Sequence, residues 1–112
     1  MPKFKMLVFT NPTKGGSEDG YNKWYDEQHI PDVCRLDGFT GAQRFKFVDT
    51  GMGPGLTNYL AIYELEAADA KEAVALLQSK AGTPEMVMSE DLDAENLNFM
   101  VYEELAEAYT PA

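Results

Sequence analysis

Cysteine and histidine are almost missing from this chain: each occurs once, as Cys34 and His29. A single cysteine rules out an intrachain disulfide, and one of each cannot build a structural zinc site of nitrogen and sulfur ligands. Basic residues are also scarce, with 9 Lys and Arg against 19 Asp and Glu, for a net charge of −10. Such a surface repels phosphate backbones and anionic headgroups, so neither a nucleic acid nor a membrane surface is expected as partner. Long apolar runs are lacking: Met6-Leu7-Val8-Phe9 near the start is far too short for a membrane span or a signal-peptide core. A reducing, cytoplasmic location is the expectation. What the chain has is 112 residues, 45% of them hydrophobic, with no repeat, low-complexity block or linker. It reads as a single domain over 1–112.

Residues 3 to 10 alternate and then turn apolar on both sides, which predicts a strand ended by Asn11-Pro12-Thr13-Lys14-Gly15-Gly16. Ser17 is placed to cap a helix whose first turn carries Glu18 and Asp19. That helix runs through Tyr21, Trp24, Tyr25 and His29. Pro31 is expected to interrupt it, because the ring offers no N–H to the carbonyl of Glu27. A kink or a fresh short turn to Leu36, ended by Asp37-Gly38, follows. Strands are predicted over 39–49, 57–65 and 96–104. A helix over 70–81 is capped by Asp69, shows an apolar stripe through Ala73, Val74 and Leu77, and stops at Gly82. Gly51-Met52-Gly53-Pro54-Gly55 reads as a strand connection. Glu90, Asp91, Asp93 and Glu95 read as a solvated acidic loop rather than a metal site.

The order βαββαβ is the ferredoxin-like arrangement, an α+β fold with a four-stranded antiparallel sheet and two helices on one face. The third strand separates Leu60 and Ile62 from Tyr59, Ala61, Tyr63 and Leu65, and the last separates Met100 and Tyr102 from Leu97, Phe99 and Val101. Two helices cover only one of these faces. A second copy of the sheet, in a two-fold homodimer, is the simplest cover for the other.

Tyr21, Tyr25 and His29 stand four residues apart and so form one line along a helix. A line of polar-tipped aromatics facing a sheet suits a greasy cavity with few hydrogen bonds. Asp26 is placed to hold one nitrogen of His29, with Asp32 as the alternative. The segment from Tyr21 to Val33, with Trp24-Tyr25, His29 and Pro31, resembles the helix signature of EthD-like proteins, a branch of the dimeric α+β barrel superfamily. The Gly38-Phe39 step into the next strand and the basic-aromatic pair Arg44-Phe45 extend the likeness.

The resemblance implies a dimeric α+β barrel, and no cofactor is expected. Its range of functions includes small lyases and decarboxylases as well as auxiliary proteins of oxygenase systems. The expected activity is a lyase or isomerase step on an aromatic or polyketide-like carbonyl compound, with His29 as acid and base. Tyr21 or Tyr25 would donate to the oxygen that gains charge, and Asp26 would orient the imidazole. Trp24, Arg44, Met86 and Met88 complete the expected ligand contacts, the two methionines as part of a flap over the cavity mouth. The alternative is a protein that binds a hydrophobic small molecule without transforming it. For each of these side chains, simple packing in the core is the competing role.

Overall fold

The strands that are apolar on both sides take the middle of the sheet. In the computed structural model, which describes residues 1–112 in full, β1 (Lys3–Thr10) and β3 (Tyr59–Glu66) pair at the centre. β2 (Phe39–Lys46) flanks β3 and β4 (Asn98–Glu103) flanks β1, giving one antiparallel sheet in the order β2-β3-β1-β4. The register sets Met6 beside Tyr63 and Val101, and Val8 beside Ala61 and Phe99, so these side chains share a face.

Helices α1 (Glu18–Trp24), α2 (Ile30–Cys34) and α3 (Ala70–Lys80) bury that face. Tyr21, Tyr25, Val33 and Ala73 of the helical layer join Met6, Ala61, Tyr63 and Leu65 of the sheet in one core. The helix starts are those expected from the sequence. Ser17 accepts from the Gly20 amide, and Asp69 accepts from the amides of Lys71 and Glu72. Gly82 follows α3 with φ of +85°, a conformation that costs glycine little.

Pro31 does not interrupt the first helix, contrary to the expectation from its chemistry. The chain stays helical from Glu18 to Cys34 by widening over Tyr25–His29 into a π-helical turn. There the Ile30 amide donates to the carbonyl of Tyr25, five residues back. A regular turn would drive the proline ring into the carbonyl four residues earlier, and the wider turn gives that ring room. The lost N–H is thus absorbed before the proline rather than by ending the helix.

Between α2 and β2 the chain turns at Gly38, whose φ is +94°. A Cβ there would stand 2.7 Å from the carbonyl oxygen of Glu66. Gly38→Ala therefore meets both an unfavourable backbone region and a collision with main chain. We expect a loss of about 1–3 kcal/mol, seen as a lower urea midpoint at an unchanged slope. An unchanged midpoint would show that this turn relaxes freely.

Candidate functional site

The widened turn changes which side chains meet. In a regular α-helix, residues five apart point about 140° away from each other. Here Trp24 stacks on His29 with ring centroids 4.6 Å apart, while Tyr25 meets the same imidazole edge-on at 5.3 Å. The Trp24 indole N–H donates to the carbonyl of Val87 at 3.0 Å, which ties the segment carrying Met86 and Met88 to the helix. His29 is held by two aromatic rings rather than by hydrogen bonds.

A cavity of about 220 Å³ lies between the sheet, the widened turn, α3 and that segment. Met6 and Val8 of β1 and Tyr63 of β3 form its floor. Val33, Leu77, Met86, Met88, Leu97 and Phe99 form its walls, and Gln78 and Phe99 are exposed at its rim. Apart from His29, Gln78 and the Tyr63 hydroxyl, the lining is hydrocarbon or thioether. Two buried side-chain atoms of the protein lack any hydrogen-bond partner, His29 Nδ1 and the Tyr63 hydroxyl, and both residues line this cavity. An unpaired buried polar group costs about 1–3 kcal/mol, and two of them on residues lining one cavity single it out as the candidate site.

Burial pushes the His29 imidazole down to about 4, with the Asp32 carboxylate opposing only in part. Burial, and then the neighbouring Tyr25 phenol, raise the Tyr63 hydroxyl, although no well-formed hydrogen bond joins the two tyrosines. The Tyr25 phenol itself is pushed up to about 12, again mainly by burial. At neutral pH the cavity therefore presents uncharged hydrogen-bonding groups.

A separate polar cluster lies under the earlier turns of the same helix, toward β2. Arg44 sits over the rings of Tyr21, Tyr25 and Tyr59, with 4.5 Å to the Tyr25 centroid and 5.3 Å to each of the others. It donates to Asp26 at 3.0 Å and to Asn22 at 2.7 Å. Tyr59 donates to Glu18 at 2.5 Å, and the Tyr21 and Thr10 hydroxyls share a hydrogen bond of 2.5 Å. Each of these groups is already occupied.

No family model and no curated protein matches this chain. Solved structures do. An EthD family protein from Bacillus halodurans aligns over 94% of this chain and 100% of its own, at 17% identity and a TM-score of 0.58. A protein of Arabidopsis thaliana solved in solution aligns over 97% and 94% at 15% identity, with a TM-score of 0.62. A dimeric ferredoxin-like protein from an uncultured marine organism aligns over 96% and 100% at 13% identity, with a TM-score of 0.56. This chain has the EthD-like, ferredoxin-like α+β fold.

Within that EthD-like fold the residues singled out from the sequence divide into two groups. His29, Met86 and Met88 come together on the cavity. Tyr21, Asp26 and Arg44 belong instead to the cluster at the earlier turns of the helix, and Tyr25 and Trp24 stand behind the imidazole without lining the cavity. Asp26 does not orient His29, because its carboxylate is taken by Arg44. Asp32 does not either, being paired with Arg35. The cavity's second polar group, Tyr63, was missed. Its signal was present: it alternates with Tyr59 and Ala61 on the helix-facing side of β3, where a phenol needs a partner. No group of three or more His, Cys, Asp or Glu side chains is placed to hold a metal ion, and no helix is long and apolar enough to cross a membrane. A larger groove of about 570 Å³ runs past Glu27, Pro31 and Leu36 on the surface. Its cations, Arg35 and Lys80, are neutralised by Asp32 and Glu85.

The unfolded chain takes up a proton on His29 near pH 6.5, and the folded chain refuses it until about pH 4. His29 thus contributes stability that is complete above pH 6.5 and drains away as pH falls toward 4. As this is the sole histidine, NMR should show its imidazole neutral at pH 5, and His29→Gln should flatten that part of the stability profile. An imidazole titrating at its ordinary value would contradict the dry environment described above.

Proposed function

We propose that this protein is a small enzyme that needs no cofactor and moves a proton on a hydrophobic carbonyl compound, in a lyase or isomerase reaction. The observation that carries this reading is that the two residues with unpaired buried groups, His29 at Nδ1 and Tyr63 at its hydroxyl, both line one apolar cavity. Tyr63, a neutral donor, would bind the carbonyl oxygen and follow it as it gains charge. His29 would take the proton from the adjacent carbon and return it to carbon or to a leaving hydroxyl. An imidazole held near 4 is a weak base in the empty cavity. The growing negative charge on the ligand raises its proton affinity during the transfer itself, and the imidazolium so formed is a strong acid. Tyr21 and Tyr25, the donors expected from the helix alone, give way to Tyr63 in this scheme. Trp24 and Tyr25 would keep the imidazole in place.

The depressed basicity of His29 also favours a second reading, in which the pocket shelters an aromatic or otherwise hydrophobic molecule without changing it. The two are separated by following exchange of deuterium from D₂O into the carbon beside the carbonyl of a bound aromatic ketone, by NMR. Enzymatic exchange that falls by about 10²-fold or more in His29→Gln, and by about tenfold or more in Tyr63→Phe, supports proton transfer. A ketone that binds yet comes back undeuterated would leave only the sheltering role.

A homodimer through the outer sheet face belongs to the same proposal. Leu7, Phe9, Leu60, Ile62 and Met100 lie on the face opposite the helices and are only half-buried. The accessible surface is 7631 Å², against roughly 6,200 Å² for a compact monomer of this mass. The chain from the marine organism, which shares the fold, is dimeric. Light scattering should give twice the 12.5 kDa of one chain, and Ile62→Glu should give monomers that still unfold cooperatively. Wild-type monomers at micromolar concentration would defeat the dimer.

A further inference from the structure

The polar groups of the cavity decide what charge it accepts. No Lys or Arg lines it. Arg44, the nearest basic residue on the helix-facing side of β2, is engaged by Asp26, Asn22 and three tyrosine rings. Arg35 and Lys80 stand in the outer groove, each with its own acid. A carboxylate entering the cavity would lose its water and find a phenol, a neutral imidazole and the Gln78 amide at the rim but no cation, which does not repay the burial of a charge. A ketone or aldehyde loses little on the same path, and its oxygen accepts from the Tyr63 hydroxyl. His29 Nδ1 can then face the carbon beside the carbonyl or a second neutral oxygen.

Size is the other constraint. Apolar cavities of about 150 Å³ take up benzene. The 220 Å³ here holds one ring with a short substituent, and a fused second ring would extend toward the rim at Gln78 and Phe99. Met86 is almost completely buried, and the indole bond to Val87 anchors its segment.

We infer that the cavity beneath the widened turn is a binding site for neutral single-ring carbonyl compounds and discriminates against carboxylates of the same shape. This deepens the reading given under Proposed function, and rests on it for the roles of His29 and Tyr63. The test compares three probes by isothermal titration calorimetry at about pH 7, where benzoate is ionised. Acetophenone and benzoate have the same skeleton and differ in charge, and 2-acetylnaphthalene adds a ring. Acetophenone should bind at least roughly tenfold more tightly than benzoate, and 2-acetylnaphthalene should be the weaker of the two ketones. Tyr63→Phe keeps the shape of the cavity and should weaken acetophenone several-fold.

Benzoate binding as well as acetophenone would overturn the charge selection. Tighter binding of the naphthyl ketone would overturn the size limit, and no binding of any probe at millimolar concentration would overturn both. These outcomes are distinct from failure of the proposed reaction. Acetophenone that binds selectively without deuterium exchange defeats catalysis and leaves this inference standing. Exchange that depends on His29, with no preference over benzoate, does the reverse.

Discussion

Everything at the candidate site depends on how a helix accommodates Pro31. A regular turn would end or bend there, and His29 would lie at a frayed terminus where water satisfies its nitrogens. By widening one turn the helix continues to Cys34, keeps Val33 in the core and draws two aromatic rings against one imidazole. The imidazole is fixed by packing alone, so its buried Nδ1 remains free for something else.

Polar groups are divided between the two ends of the helical segment. At one end, Arg44, Asp26, Asn22, Glu18 and the hydroxyls of Tyr21, Tyr59 and Thr10 satisfy one another and brace α1 against β2, β3 and β1. At the other, methionines and aliphatic side chains enclose a space with two uncompensated polar atoms. The two unpaired atoms leave the cavity less stable locally than full pairing would.

Much of this was legible in the residues. Alternation in 59–65 separates helix-facing from outward side chains correctly, and Ser17, Asp69 and Gly82 mark helix ends because their chemistry acts within a few residues. The strands came out shorter than the alternation implied, β2 stopping at Lys46 and β4 spanning only Asn98–Glu103, since pairing ends where a partner ends. The line Tyr21, Tyr25, His29 and Val33 does face the core. Asp26, near His29 in sequence, is claimed instead by an arginine on a strand, and the unpaired state of the Tyr63 hydroxyl is invisible until the helix lies over it.

The sequence by itself determined the element order, the two-faced sheet and the acidic surface, because periodicity, capping and net charge are local or additive properties. Tertiary structure alone decided which acid meets which base, that the proline widens the helix instead of breaking it, and which two polar atoms are left without partners. Those outcomes are competitions among groups far apart in the chain, and the winner is set by distance and burial after packing.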